Sequence, residues 1–338
     1  MAKAKKLPSG NWRCRIYVNT DTDGKKHYKS FTAKTKKEAE YLASQYAIDE
    51  RESINHFSLD KAMSLYIESK NNVLSPTTIA TYKNTQKNHL KSLMHLDIND
   101  ITAQMIQREI NEETKKSSPK TIKNIHGLLS AVMHEFRPDF HFNTKLPQKE
   151  RSTIRIPTKE ELEFILQNSD GELEIAVALA AYEGLRRSEI CALTWDEIDL
   201  KNKTITIKKA LVMDENYEAV IKVPKSYSGN RVIPIFDPML HILETVENKS
   251  GYLVTLKPLR ISQQYAKLLK KINISGVRFH DLRHYFASVM LALNVPDKYA
   301  MELMGHATNT MLKTVYQHTM EEKSKEIHTV INQYFSKV

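Results

Sequence analysis

The spacing of apolar residues changes along this 338-residue chain, and the change limits the possible fold more than any other feature. Residues 11–18 alternate apolar and polar side chains, a period of two that predicts a half-buried strand. Asp23-Gly24 is a hairpin signal, and residues 27–32 predict the return strand. Residues 35–47 are polar and Ala-rich, which favours a helix covering the sheet. We therefore expect residues 1–55 to form a small three-stranded sheet plus one helix.

Helical spacing dominates the second segment, residues 56–140. Its apolar residues lie at helical positions in four stretches, 59–70, 76–90, 103–114 and 119–136. Ser75 and Ser118 each precede a proline, which is the arrangement of an N-cap followed by Pro at the first helical position. Four helices of this length with short connections predict a helical bundle.

The third segment, residues 158–338, is also mostly helical. Thr158 and Glu161 have the spacing of a capping box that opens a helix. Further helices are predicted at residues 173–182, 238–248, 262–272, 280–293, 296–304 and 320–335, and short strands of one small antiparallel sheet at 204–207, 217–223 and 231–235. The sequence as a whole predicts an α+β chain that is mostly α.

Residues 141–157 are predicted to be a linker between the second and third segments. The stretch from 138 to 157 has three prolines and no clear periodicity. It is also basic, with Lys145, Lys149, Arg151 and Arg155 among its charges. An extended basic linker can wrap a duplex, although the same composition fits a plain spacer.

Positive charge is concentrated near the N-terminus. The chain has a net charge of +10, and residues 1–37 hold eleven Lys or Arg against two Asp. Such an excess suits a polyanionic partner. The two cysteines, Cys14 and Cys191, lie far apart and fit a reducing cytoplasm without disulfides. We see no signal peptide and no apolar run long enough to span a membrane, so a cytoplasmic protein is expected.

Five short motifs follow one another in the third segment. They are Gly184-Leu185-Arg186-Arg187-Ser188-Glu189, Lys225 within residues 223–231, His280-Asp281-Leu282-Arg283-His284, Met304-Gly305-His306, and Tyr316 in Val315-Tyr316-Gln317-His318. Each motif alone has an ordinary explanation, such as a surface arginine, a helix end or a packing tyrosine. His280 and His284 share a helix face and could bind a metal, but no third ligand has a recognisable spacing.

Together, the five motifs resemble the catalytic signature of the tyrosine recombinases, the phage-integrase family. The match runs from residue 158 to about residue 334, and Tyr316 follows His306 at a distance within the family's range. Met304 stands where Leu is usual. The resemblance implies a DNA breaking–rejoining fold in a catalytic domain at residues 158–338. It also implies a site-specific recombinase that integrates or excises a phage or mobile element through a 3′-phosphotyrosine intermediate.

The resemblance further implies the roles of individual residues. The implied catalytic residues are Arg186, Lys225, His280, Arg283, His306 and Tyr316. Tyr316 would be the nucleophile, His280 the general base and Lys225 the general acid, with Lys222 as a nearby competitor for the lysine position. The two arginines and His306 would neutralise the phosphate oxygens. No metal, ATP or other cofactor is implied.

A less specific resemblance extends toward the N-terminus. The bundle looks like the family's core-site DNA-binding domain, and the basic sheet looks like its arm-site DNA-binding domain. The candidate DNA contacts are Trp12, Arg13, Arg15, Lys25, Lys26, Lys120, Lys123 and Arg155. A solvated basic face is the alternative explanation for them. The implied partners are double-stranded DNA with core and arm sites and three further protomers of a homotetramer, with an excisionase and a host DNA-bending protein as optional factors acting at the bacterial nucleoid.

Two other functions stay open from the sequence. A type IB topoisomerase-like enzyme would use the same chemistry to relax DNA, but the extra N-terminal module argues against it. A DNA-binding regulator on a decayed recombinase scaffold would need no catalysis, but all six catalytic positions are filled, which argues against that function.

Overall fold

The computed structural model describes residues 3–20, 26–54, 56–148, 154–223, 230–305, 332 and 336. Contacts divide the chain into two units, residues 1–74 with 81–150 and residues 75–80 with 151–338. The division at residue 150 falls inside the predicted linker, while the finer boundary between residues 55 and 56 stays a prediction. None of the helices in these ranges is both long and apolar enough to cross a lipid bilayer.

The N-terminal sheet has three antiparallel strands with one helix against it. The elements are β1 (Lys5–Lys6), β2 (Trp12–Thr20), β3 (Lys26–Ala33) and α1 (Lys36–Ile54), and the strand order is β1-β2-β3. Cys14 of β2 is fully buried with Ala39 and Ala43 of α1. The predicted sheet and helix are confirmed, and the Asp23-Gly24 turn lies outside the described residues.

The bundle consists of α2 (Leu59–Ser69), α3 (Pro76–Asn88), α4 (Ala103–Thr114) and α5 (Pro119–Phe136). The side chains of Ser58, Thr102 and Ser118 accept hydrogen bonds from the backbone N–H three residues further on, so three of these helices begin with a capped N-terminus. Their apolar faces enclose a core of their own. The predicted helices are confirmed, with ends that differ by at most two residues.

The first part of the predicted linker packs on this bundle. Phe140, Phe142 and Leu146 lie against the bundle core. The backbone of Lys145 is held by Gln107 of α4, whose Oε1 accepts from the Lys145 N–H at 2.8 Å and whose Nε2 donates to the Lys145 carbonyl at 3.1 Å. Residues 140–146 are therefore packed against the bundle and form part of it.

The second unit combines seven described helices with two small sheets. The helices are α6 (Lys159–Gln167), α7 (Gly171–Tyr182), α8 (Arg187–Ile190), α9 (Asp237–Thr245), α10 (Pro258–Lys271), α11 (Phe279–Ala292) and α12 (Asp297–Met304). The strands are β4 (Ile198–Asp199), β5 (Thr204–Ile207), β6 (Ala210–Met213), β7 (Ala219–Lys222) and β8 (Arg231–Pro234). The Thr158 capping box at the start of α6 is confirmed. The predicted helix at 320–335 lies outside the described ranges.

The predicted single sheet was wrong in its pairing. In the structure β5 pairs with β4 and β8, whereas β7 pairs with β6 in a separate hairpin. Asp214 closes that hairpin, because its Oδ1 accepts from the N–H groups of Asn216 and Glu218 at 2.8 Å each. The sequence of β6, Ala-Leu-Val-Met, has no alternation, and the strand was missed for that reason.

Helix α7 is the centre of the second unit. Residues 175–181 are all buried, because α8, α9, α10 and α11 pack around this helix. A helix that is apolar on all sides fits only such an enclosed place. The chain leaves α7 at Tyr182, so the first sequence motif starts from a rigid support.

We predict that Arg137→Met destabilises the bundle. Arg137 Nη1 donates to the carbonyls of Ile98 and Ile101 at 2.7 and 2.8 Å, and methionine would leave both carbonyls without this donor. The expected loss is about 2–4 kcal/mol of unfolding free energy in urea titrations. Arg108→Met on the exposed side of α4 is the control, with an effect within about 0.5 kcal/mol. Equal effects of the two substitutions would contradict the assignment.

Candidate active site

The first sequence motif forms the turn that follows α7. Gly184 has a left-handed backbone conformation with φ of 65°. A Cβ on this residue would lie 2.5 Å from Cδ1 of Phe286, which leaves room for glycine alone. The turn ends at Arg186, the N-cap of α8, whose N–H donates to Oε2 of Glu189 at 2.8 Å. This cap fixes the backbone of Arg186 at the start of the helix.

Arg186 and Glu189 form an ion pair beside a cleft. Nη1 of Arg186 lies 2.7 Å from Oε1 of Glu189, and Nη2 donates to the carbonyl of Gly305 at 2.8 Å. The Arg186 side chain remains 35% exposed and lines the cleft, whereas the Glu189 side chain is 6% exposed. Glu189 and Gly305 thus orient a guanidinium that still faces solvent.

Arg283 joins two motifs that are distant in the sequence. It lies on α11 and is buried, and its guanidinium donates to the carbonyls of Gly184 and Met304. Gly305 follows Met304 as the left-handed C-cap of α12, with φ of 63°. The turn that leads into residue 306 is therefore tied to Arg283 through Met304 and to Arg186 through Gly305.

Arg231 is a member of the site that the sequence did not reveal. This residue opens β8, and its Nη1 and Nη2 donate to Oε1 and Oε2 of Glu189 at 3.2 and 3.0 Å. Its Nε donates to the Leu303 carbonyl at 2.8 Å. The Lys225 motif ends at this arginine, but nothing in the spacing distinguishes it from a surface residue.

Glu189 is the shared anion of this cluster. Burial alone would raise the pKa of its carboxyl group. The hydrogen bonds and charge of Arg231, followed by the charges of Arg186 and Arg283, outweigh burial and lower that pKa to about 2. Glu189 is therefore ionised at neutral pH. Three guanidinium groups and one carboxylate give this described cluster a surplus of positive charge, which suits a phosphodiester.

His280 lies at the edge of the same cleft. Its ring meets the buried His284 ring edge to face, with the centroids 5.0 Å apart. Loss of water around the ring lowers the pKa of His280 to about 4, and the charges of His284, Arg283 and Arg186 act in the same direction. Part of the His280 side chain is exposed, and water on that side makes the lowering of its pKa smaller but does not reverse it. A neutral imidazole can accept a proton.

The two histidines do not gain a third metal ligand in the described part of the chain. No group of three His, Cys, Asp or Glu side chains converges in those ranges. The sequence left a metal site open as the alternative to a catalytic role for His280. Within the described residues, the two histidine rings contact each other without a third possible metal ligand beside them.

The cleft beside Arg186 has further cationic residues at its rim. Arg187 donates from Nη1 to Oγ of Ser262 on α10, and Arg278 forms an ion pair of 2.8 Å with Asp281. The Arg278 side chain is 67% exposed, whereas that of Asp281 is 1% exposed. Apolar residues of β6 and α10, together with Val277 and Phe279, line much of the remaining wall.

Three predicted catalytic residues lie outside the described residues. They are Lys225, His306 and Tyr316. In the sequence, Gly305 immediately precedes His306, and Lys222, which ends β7, lies three positions before Lys225. Arg186, His280 and Arg283 lie near one another in the second unit, and their catalytic roles stay predictions.

The predicted DNA contacts fall on several surfaces. Arg13 and Arg15 are exposed on the sheet face opposite α1, and Lys26 is exposed at the start of β3. Trp12 is half-buried on the α1 side with the small N-terminal core. Lys120 and Lys123 are exposed on α5, Arg155 forms an ion pair with Glu161 of α6, and Lys25 lies outside the described ranges.

Two family models match the chain. The phage integrase family matches residues 156–323, and the phage integrase N-terminal SAM-like domain matches residues 58–113. The matches give the class of the protein, a tyrosine recombinase, which is a DNA breaking-rejoining enzyme. The chain belongs to the phage integrase family, as the motifs predicted.

Curated relatives extend over most of the chain. It is 24% identical to a tyrosine recombinase XerC-like protein of Caldanaerobacter subterraneus subsp. tengcongensis, with 96% of each chain covered. It is 26% identical to the integrase of a Staphylococcus phage, over 80% of this chain and 90% of the relative. The similarity thus includes the N-terminal segment as well as the motifs.

Solved structures share the fold. A structure of the Tn1549 transposon integrase in complex with transposon right end DNA matches with a TM-score of 0.67 at 18% identity, over 80% of this chain and 99% of that one. A lambda integrase tetramer bound to a Holliday junction matches with a TM-score of 0.60 at 19% identity, over 93% and 94%. The predicted fold class, mostly helical with small antiparallel sheets, is confirmed.

We predict that Gly184→Ala destabilises the second unit, whereas Gly127→Ala does not. The new methyl group at residue 184 would overlap Phe286 in a left-handed backbone, at a cost of about 2–4 kcal/mol. Gly127 lies inside α5 with no atom within 4 Å of its added Cβ, so alanine there should stabilise by about 0.5–1 kcal/mol. Denaturant unfolding of both variants measures the difference, and equal signs would contradict the packing at Gly184.

Proposed function

We propose that this recombinase breaks and rejoins DNA strands through a 3′-phosphotyrosine formed by Tyr316, and thereby integrates or excises a phage or mobile element. The observation that carries the proposal is the convergence of Arg186 and Arg283 on the carbonyls of Gly305 and Met304. Those carbonyls belong to the two residues that come before position 306 in the sequence, so two of the family's catalytic arginines bind the described segment next to a third catalytic position.

The cationic residues stabilise the transition state in this proposal. Attack on a phosphodiester places additional negative charge on the non-bridging oxygens. Arg186 and Arg283 neutralise that charge with planar, permanently charged donors, and His306 adds a hydrogen bond. Loss of one preorganised donor typically costs about 3–4 kcal/mol of barrier. The surplus of guanidinium groups over carboxylate around Glu189 supports this role.

Proton transfer needs two further groups. The Tyr316 phenol has a reference pKa of about 10, so a base must help it attack near neutral pH. His280 is the proposed base, and its lowered pKa favours the neutral imidazole that can take the proton. Lys225 is the proposed acid, which protonates the leaving 5′-oxygen.

Each step conserves the number of phosphoester bonds. The Tyr316 oxygen forms a bond to phosphorus as the bond to the 5′-oxygen breaks, and the new 5′-hydroxyl carries the proton from the acid. A 5′-hydroxyl of another strand then attacks the phosphotyrosine and releases the tyrosine. The covalent link keeps the bond energy, so the exchange needs no ATP.

DNA would be held by two separate surfaces. Lys120 and Lys123 at the start of α5 suit contacts to core-site phosphates, and Arg155 continues the basic linker. On the N-terminal sheet, the strand register aligns Arg13, Arg15 and Tyr17 with residues 32, 30 and 28 on one exposed face. Arg15 lies 5.2 Å from the centre of the Tyr28 ring. We therefore assign the arm-site contact to this face rather than to Trp12.

The assembly on DNA would be a homotetramer that exchanges strands in pairs. The tetramer of lambda integrase on a Holliday junction is the precedent in a protein of the same fold. An excisionase and a host DNA-bending protein are the proposed accessory partners. The proposed place of action is the nucleoid of a bacterial cytoplasm.

We predict a covalent protein–DNA adduct that depends on Tyr316. On a nicked suicide substrate built from sequenced element junctions, the wild-type protein should accumulate the adduct and Tyr316→Phe should form none. Arg186→Ala should slow adduct formation by about 10²–10³-fold. Tyr299→Phe, an exposed tyrosine on α12, is the matched control and should react like wild type.

The same substrate separates the rival functions. If wild type binds the junction DNA but forms no adduct, the chain is a regulator and the proposal fails. A plasmid with two core sites distinguishes the remaining pair, since recombinant products support the recombinase and relaxation without recombinants supports a topoisomerase-like enzyme.

We predict that Arg15→Ala weakens DNA binding through the N-terminal sheet, whereas Lys29→Ala does not. Arg15 lies on the exposed face, but the Lys29 Nζ lies 4.0 Å from the centre of the Tyr46 ring of α1, on the other face. Each substitution removes one charge. Arg15→Ala should reduce the salt dependence of duplex binding by about one unit of log–log slope. An equal reduction for Lys29→Ala would contradict the assigned face.

A further inference from the structure

Arg231 is buried, and its guanidinium binds other groups of the protein. Its side chain is 6% exposed, against 35% for that of Arg186. Its three guanidinium nitrogens donate to both Glu189 oxygens and to the Leu303 carbonyl. Arg231 does not line the cleft, and both of its Nη atoms bind the Glu189 carboxylate, whereas Arg283 donates to the neutral carbonyls of Gly184 and Met304. The charge of Arg231 is therefore already paired with an anion, and its role is to hold other groups in place.

Two catalytic segments adjoin the residues that Arg231 connects. Arg231 opens β8 directly after the segment that contains Lys225, and Leu303 lies three residues before His306. The Glu189 carboxylate also orients Arg186, because it accepts hydrogen bonds from the Arg186 side chain and from the Arg186 backbone N–H. One guanidinium therefore links three parts of the chain that carry proposed catalytic groups.

We propose that Arg231 is a positioning residue for strand cleavage, which keeps Arg186 available to the phosphate by acting as the main counter-ion of Glu189. The inference rests on the proposed function. Both Glu189 oxygens bond to Arg231, whereas the Arg186 side chain reaches only Oε1. Without Arg231, the carboxylate would have Arg186 as its remaining hydrogen-bonded cation and would draw it away from the cleft.

The charges around Glu189 give the proposal a pH signature. In the described residues, the charged groups that face Glu189 are Arg186, Arg231 and Arg283. The pKa of Glu189 is lowered to about 2, so this carboxyl does not titrate near neutral pH in the intact site. Removal of Arg231 takes away its largest favourable partner, and burial then raises the pKa toward the working range.

The experiment measures single-turnover adduct formation at saturating protein from about pH 5 to 8. It compares wild type with Arg231→Met, Glu189→Gln and the double variant Glu189→Gln/Arg231→Met. Arg231→Met should slow cleavage on the order of 10-fold to 100-fold, because small displacements of catalytic groups cost that much. DNA affinity should stay within about 3-fold of wild type, because Arg231 does not face the cleft.

The pH profile separates positioning from simple loss of stability. The ratio of the Arg231→Met rate to the wild-type rate should change across the acidic part of the range. In the Glu189→Gln background the effect of Arg231→Met should no longer vary with pH, because the titrating group is gone. Arg137→Met is the structural control, since that arginine also binds two carbonyls but lies in the other unit, and its rate ratio should be constant with pH.

The outcomes distinguish this inference from the proposed function. If wild type forms no adduct, the proposed function itself is wrong. If wild type reacts and the Arg231→Met ratio is constant with pH, or varies equally in the Glu189→Gln background, Arg231 is only structural and the inference is overturned. Thermal unfolding of each variant at each pH confirms that folded protein is being compared.

Discussion

The ion pairs of Glu189 with Arg186 and Arg231 are the interaction on which this site depends. Three guanidinium groups cluster near the end of α7, and their mutual repulsion needs a compensating anion. Glu189 supplies that charge, and its pKa of about 2 keeps it ionised. A buried ion pair costs desolvation energy and is rarely a gain in stability by itself. We therefore interpret the buried ion pairs of Glu189 as a means of holding the charged side chains in place for function rather than of stabilising the fold.

The rest of the second unit explains how such a cluster can form. The residues come from the turn after α7, from α8, from β8, from α11 and from the end of α12. The apolar helix α7 gives these elements a common support, and Gly184 permits close approach of Phe286 beside Arg283. Carbonyls at two glycine turns then receive the arginine donors. Backbone groups at these turns are thus satisfied by the same side chains that are proposed to bind the phosphate.

Much of this arrangement could be predicted from the sequence, and there are physical reasons why the rest could not. Caps and periodicity located the helices, because these signals are local. The pairing of β7 with β6 was missed since it depends on Asp214 closing a turn. Arg231 was missed because its partners lie 42 and 72 positions away, a distance that no spacing rule spans. The alternation groups Trp12 with the apolar residues of β2, and the structure has it on that side, so naming it as a DNA contact went against the pattern.

The identity of the residue that becomes linked to DNA tests the account most directly. The wild-type protein would be trapped on a suicide substrate, digested with nuclease and protease, and the nucleotide-bearing peptide sequenced by mass spectrometry. The account predicts one modified peptide, with the phosphate ester on Tyr316. A stable ester on any other side chain, or covalent linkage through a 5′-phosphate, would contradict it.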